Sequence, residues 1–188
     1  GKAIFWHSSA HLLAEAVINL FPNAQPTIGP AIENGFYYDF ANLQISVDDF
    51  PKIEAEMQKI IKERKEPVRI EYNSKDEALK EFANNPYKIE MIEDLDEGLS
   101  AYRQGNFIDL CRGPHLPHMG FIQAVKVLKT SGAYWRADSN NAQLTRIYGI
   151  SYPDKKLLSK YLRFLEEAAK RDHRLIGKQL NLYSFHQE

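Results

Sequence analysis

Helical periodicity comes first along this chain and strand-like segments come later, an order that few folds accommodate. From Phe5 to Phe21, apolar side chains recur at Phe5, Leu12, Leu13, Ala16, Val17 and Leu20, the rhythm of an amphipathic helix that Pro22 ends. The stretch PTIGPAIENGFYYDF, punctuated by Pro26, Gly29 and Pro30 and holding an Asn34-Gly35 pair, reads as two short strands joined by a turn. Ser46 caps a long helix over Val47 to Lys65, striped by Ile53, Met57, Ile60 and Ile61. A half-buried strand in PVRIEY and a shorter helix opened by Ser74 and Glu77 in capping-box spacing follow. Lys88 sits near the start of another short helix after Pro86. Strands are expected at Leu99 to Arg103, Phe107 to Leu110, Phe121 to Leu128, Tyr134 to Arg136 and Leu144 to Ile150. After Pro153 a basic amphipathic helix runs to about Arg171. The pattern predicts an α+β fold, an antiparallel sheet covered by helices in two layers.

Composition bounds what such a fold can be. At 188 residues, with 44% hydrophobic and 26% charged residues, the chain can bury a sizeable core and is neither disordered nor fibrous. Cys111 is its single cysteine, so no internal disulfide forms and nothing argues for secretion. No apolar run approaches the roughly 18 residues of a membrane span. A cytoplasmic protein without membrane contact is expected. The net charge of −1 hides an asymmetry: residues 1–100 hold 10 Lys/Arg against 18 Asp/Glu, residues 120–178 hold 12 against 5. The basic half points weakly to a polyanionic partner.

Two motifs carry chemistry. His7 and His11 stand four residues apart in FWHSSAHLLAEAV, on one helix face. Cys111 and His115 are also four apart, in FIDLCRGPHLPHMG, where Gly113 and Pro114 make a bend rather than a helix. Three imidazoles and a sulfur could supply four zinc ligands, and they could equally form a metal-free acid/base cluster. A metalloprotease helix would need Glu where Ser8 stands. A cysteine hydrolase would need Cys111 activated by a neighbour such as His115, but no signature of that kind surrounds it.

The runs HSSAHLLAEAV, IGPAIENGFYYDF, DLCRGPHLPH and KTSGAYWRADSNNAQLTRIYG together resemble the editing domain of bacterial-type threonyl-tRNA synthetases, and KRDHRLIGKQLNLY resembles the connection into that enzyme's catalytic domain. The resemblance implies the additional-domain fold shared with alanyl-tRNA synthetases. It implies an editing domain over residues 1–152, a connecting helix over 153–172 and the start of an absent aminoacylation domain over 173–188. The chain then reads as a fragment that cannot itself aminoacylate, working in cis with a parent enzyme that is a homodimer. The implied activity is hydrolysis of mischarged Ser-tRNA(Thr); an alternative, alanyl-tRNA editing, is disfavoured because GFYYDF and AYWRADSNN follow the threonyl pattern.

Residue by residue, His7, His11, Cys111 and His115 match the family's editing core. Lys88 matches the lysine of its Y-K pair, Asp109 the acid two residues before the cysteine, and Tyr38 the second tyrosine of its G-F-Y-Y-D run. His7 and Lys88 are expected to position water and the tRNA 3′ end, and Asp109 to hold the seryl ammonium. Cys111 and His115 are expected to shape a pocket that excludes the threonyl methyl. Lys88 and Asp109 are placed at the mouth of the cavity; Tyr38 is either a substrate contact or a core residue. No cofactor is expected to be required; zinc, if bound, would be held by His7, His11, Cys111 and His115. His118, His173 and His186 receive no role. For the tRNA acceptor end, Lys126, Lys129, Arg136 and Arg146 together with Lys155, Lys156, Lys160 and Arg163 are the candidate phosphate contacts.

Overall fold

In a computed structural model the backbone is described over residues 1–184 and side-chain surroundings over residues 1–172. His186 therefore lies outside the described residues, as do the side chains of His173 and of the rest of the 173–188 segment. The elements are α1 (Lys2–Leu20), β1 (Gln25–Pro26), β2 (Ala31–Ile32), β3 (Gly35–Ala41), α2 (Phe50–Glu63), β4 (Val68–Glu71), α3 (Lys75–Glu81), α4 (Pro86–Asp94), β5 (Ser100–Gln104), β6 (Phe107–Leu110), β7 (Ala124–Tyr134), β8 (Gln143–Tyr152) and α5 (Lys155–Ser184). The fold is α+β with antiparallel sheets covered by helices, as the order of periodicities predicts. The strands divide between two sheets rather than joining one. Five strands form the larger, in the order β1-β3-β8-β7 with β2 also on β3, and β4-β5-β6 form the smaller.

The opening helix is more deeply enclosed than its amphipathic pattern suggests. Ser8 through Val17 are all buried, because α1 packs on β3 and β8 along one flank and on α2 along another. Its third flank faces the smaller sheet, where buried Glu15 accepts hydrogen bonds from Gln104 at 2.8 Å and Lys65 at 2.7 Å. The two histidines of α1 thus enter the space between the sheets.

Several boundaries differ from the sequence reading: the strand expected over Phe121–Leu128 runs over Ala124–Tyr134, behind a 3-10 turn at Met119–Phe121. The helix expected from Val47 opens as a 3-10 turn over Val47–Asp49, since Pro51 lacks an N–H to donate to the Val47 carbonyl and its ring crowds that position. The strand expected at Tyr134–Arg136 is instead a 3-10 turn over Trp135–Ala137, with Arg136 and Ala137 at φ 56 and 57°. There the buried Trp135 leaves the ladder to pack on Tyr87 of α4 and donates its indole N–H to Glu90 at 2.8 Å. The last helix, expected to run to about Arg171, continues to Ser184.

Candidate functional site

Four side chains from two distant segments meet where α1 passes the end of β6. His7 and His11 project from successive turns of α1, and Cys111 and His115 come from the bend after β6. One ligand-capable atom from each lies within 4.8 Å of all the others. His7 Nε2 is 2.8 Å from Cys111 Sγ, and Sγ is 3.2 Å from His115 Nε2. The His7 and His11 rings meet edge-on at 4.7 Å, and His11 and His115 at 4.4 Å. The bend is set by Gly113, whose φ of +79° favours glycine and where a Cβ would fall 2.1 Å from the Tyr102 hydroxyl. Its N–H donates to Cys111 Sγ at 3.1 Å.

Beneath this cluster lies a second, closed group. Asp109 sits on β6 with its side chain inward and pairs with the Lys88 ammonium and the Tyr38 hydroxyl. Lys88 also donates to the Thr27 carbonyl at 2.5 Å and lies 3.4 Å from the Tyr38 hydroxyl. His11 Nε2 stands 3.5 Å from Oδ2, the carboxylate oxygen that accepts from Tyr38. Lys88 and Asp109 are each 2% exposed and Tyr38 is 0% exposed. The expectation that Lys88 and Asp109 stand at the mouth is therefore corrected. They form the floor, because a buried charge needs a partner and each finds it in the other. The carboxylate expected to receive an ammonium from the substrate already holds one from the chain. Tyr38 takes the core alternative, its hydroxyl turned inward.

Burial sets the protonation of the upper cluster. Desolvation pushes the Cys111 thiol up to about 11, against the Gly113 N–H that would favour a thiolate. Desolvation also holds His115 down at about 2, helped by His11 and His7. His11 is pushed well below its ordinary value by burial and by the neighbouring His7 and Lys88. His7 is lowered by burial, in part offset by the Asp109 carboxylate. With no metal bound, the site at neutral pH is three uncharged imidazoles around a protonated thiol, a set that offers water hydrogen-bond acceptors and is unsuited to thiolate attack.

The same donors fit zinc in type. Bond lengths near 2.0–2.1 Å to nitrogen and 2.3 Å to sulfur put tetrahedral donor atoms roughly 3.3–3.7 Å apart, and the 2.8 Å between His7 and Cys111 is closer than that. All four protein donors together would close the coordination shell, the arrangement of a structural rather than a catalytic zinc.

Sequence reasoning missed three contributors. Ser8, between the two histidines of its motif, bonds His115 Nδ1 at 3.0 Å; its place in H-S-S-A-H was the only signal. Thr27 offers Lys88 its carbonyl, an interaction with no side-chain signature. Gly29 lets its loop lie on the Tyr38 ring, where a Cβ would fall 2.0 Å away. The large hollow of about 880 Å³ between Asn42–Ile45, Thr130–Gly132 and Gln143–Thr145 is lined by none of the cluster side chains. Chemistry, not cavity volume, marks the site.

The candidate phosphate contacts divide. Arg146 is held by Asp39 at 2.8 and 3.0 Å and lies 4.0 Å over the Tyr37 ring. Arg136 pairs with Asp94, and with Glu90 at 3.3 Å; Lys126 pairs with Glu54 at 3.4 Å. Each of the three has an acidic partner within the chain, Arg136 and Lys126 while still exposed. Lys129, Lys155, Lys156, Lys160 and Arg163 are exposed. No helix is long and apolar enough to cross a membrane among the described residues.

Comparison of the sequence with known proteins finds relatives of this chain. Residues 99–148, which hold Asp109, Cys111 and His115, match the family described as Threonyl and Alanyl tRNA synthetase second additional domain. The whole chain is 60% identical over 190 residues to the threonine-tRNA ligase of Protochlamydia amoebophila. It is 58% identical over 186 residues to that of Desulforapulum autotrophicum and 55% over 186 to that of Chlamydia felis, with 98% of the chain covered in each. The chain spans 29% of the length of each of these relatives.

Proposed function

We propose, from the premise that this chain carries the second additional domain of the threonyl and alanyl tRNA synthetases and is related over its full length to part of the bacterial threonine-tRNA ligases, that it hydrolyses Ser-tRNA(Thr). Serine lacks one methyl of threonine, and packing alone rejects such a neighbour by roughly 1 to 3 kcal/mol, or 10 to 200-fold. A separate hydrolytic pocket supplies the remaining discrimination. The reading rests chiefly on one observation: His7, His11, Cys111 and His115, drawn from segments about a hundred residues apart, converge within 4.8 Å. His7, half-buried and uncharged, holds the attacking water and takes its proton near the tRNA 3′ end. Cys111 and His115 narrow the space beside it against the threonyl methyl. Lys88, Asp109 and Tyr38 act from beneath as positioning residues, their hydrogen bonds fixing the floor and facing His11.

The reaction is proposed to need no metal. Zinc, if bound by His7, His11, Cys111 and His115, would polarise a bound oxygen or stabilise the cluster. The second reading, favoured by that closed donor set, is a zinc-stabilised tRNA-binding module without activity. The test is release of serine from Ser-tRNA(Thr), with Thr-tRNA(Thr) as control and protein purified without added zinc. Wild type should release serine selectively and keep doing so in chelator, and His7→Ala should lose at least about 100-fold while remaining folded. Activity abolished by chelator and restored by zinc refutes the metal-free step. No serine release, with His7→Ala lowering the melting temperature, favours the zinc module.

A further inference from the structure

We propose that Ser8 is a positioning residue of this site, its hydroxyl fixing the tautomer of His115 and, through His115 and Cys111, that of His7. The inference rests on the hydrolytic reading only for its consequence, not for its geometry. Ser8 is fully buried on α1. Its Oγ has two partners among the described residues: it accepts from the Leu116 N–H at 3.0 Å, and His115 Nδ1 lies 3.0 Å away. A hydroxyl carries one proton, and the amide already fills an acceptor position. The proton therefore goes to the Nδ1 lone pair. With the bond reversed, a fully buried O–H would have no acceptor, a state folded proteins avoid.

The rest follows by counting hydrogens. His115, uncharged, carries its own hydrogen on Nε2, which faces Cys111 Sγ at 3.2 Å. The sulfur then accepts from His115 and from Gly113. Its remaining S–H has one place to point, His7 Nε2 at 2.8 Å. His7 accordingly keeps a lone pair on Nε2 and a hydrogen on Nδ1. The bonds run one way, from Ser8 to His115 to Cys111 to His7. Ser8 thereby keeps the sulfur a proton donor and His7 Nε2 unprotonated, a lone pair that a hydrolytic water can use once it displaces the thiol. Without the hydroxyl, Nδ1 of His115 is free to take the hydrogen, Nε2 becomes an acceptor, the thiol proton can turn from His7 toward His115, and the sulfur lone pair then draws the His7 hydrogen onto Nε2, which removes the base.

Two-bond proton–nitrogen NMR spectra of the histidine rings read these tautomers directly, whether or not the chain deacylates anything. At neutral pH the wild-type chain should show His115 protonated at Nε2 and His7 at Nδ1. A hydrogen on Nδ1 of His115, also the tautomer a metal on Nε2 would impose, overturns the proposal. In Ser8→Ala the His115 and His7 tautomers should become mixed or reversed, and kcat for serine release should fall about 10- to 100-fold, part of the roughly 10²–10⁴-fold that a positioned general base contributes, with KM little changed. Ser8→Thr, which keeps the hydroxyl, should restore the wild-type tautomers. Wild-type tautomers and turnover in Ser8→Ala also overturn it. Should Ser8→Ala fail to fold, the wild-type spectrum decides alone.

Discussion

At the level of single residues, the pH response follows from three histidines kept uncharged by burial. In the unfolded chain each titrates near 6.5; folded, His7, His11 and His115 are all lowered, His115 to about 2. Below pH 6.5 the unfolded state takes up protons that the folded state refuses. Stability is therefore whole above that pH and declines as pH falls toward the folded values, by at most about 1.4 kcal/mol per pH unit for each histidine. Urea unfolding between pH 7.5 and 5, a window above the ordinary carboxylate range, should show this decline, and His115→Gln should make it shallower. A flat profile would mean that the imidazoles charge freely in the fold. The histidines and the cysteine were legible in the sequence because their four-residue spacings are local. The depth of Lys88 and Asp109 was not. A lone lysine on a short helix and a lone aspartate on a strand read as solvated, and only tertiary packing brings the two together as a buried pair.

Among the elements, α4 matters most to the site because it carries Lys88 in its first turn. Asn85 starts that helix by accepting the N–H groups of Tyr87 at 3.0 Å and Lys88 at 3.2 Å, while its own amide donates to the Pro26 carbonyl at 2.7 Å. One side chain thus both caps α4 and fixes it to the segment that supplies Thr27. Asn85→Ala should lower stability by about 1 to 2 kcal/mol and reduce serine release, since the Lys88 ammonium is aimed by the turn that is lost. Asn85→Asp retains the cap but not the tie to Pro26 and should fall between. Urea midpoints together with amide exchange along α4 separate the two effects, and an Ala variant with unchanged exchange would show that Lys88 is held by its ion pair alone. Elements with strong local signals were legible: the stripe of α2, the Ser74 cap of α3, the proline at the head of α4. The end of β7 was not, because Trp135 leaves the ladder for a contact with α4 that nothing in its neighbours announces.

Across the whole molecule, charge is distributed differently from its count along the chain. The basic half looks like a continuous attraction for phosphate, yet the β3–β8 register sets Arg146 opposite Asp39, and Arg136 and Lys126 likewise find acidic partners. Exposed cationic charge without an acidic partner among the described residues lies on Lys129 and at the start of α5. Binding of a tRNA acceptor arm should still weaken with salt, each neutralised phosphate adding roughly 0.7 to 0.9 to the slope of log affinity against log salt. Replacing Lys155, Lys156 and Lys160 together by Ala should reduce that slope by about 2 to 3 if all three meet phosphate, leaving stability unchanged because all three are exposed. Arg146→Ala should do the reverse: it leaves the Asp39 carboxylate, 2% exposed, without its cation, so stability falls while the salt slope hardly moves. Measured side by side on one acceptor-arm minihelix, a loss of slope in Arg146→Ala with full stability, and none in the α5 variant, would place the phosphate contact on the sheet and undo this assignment.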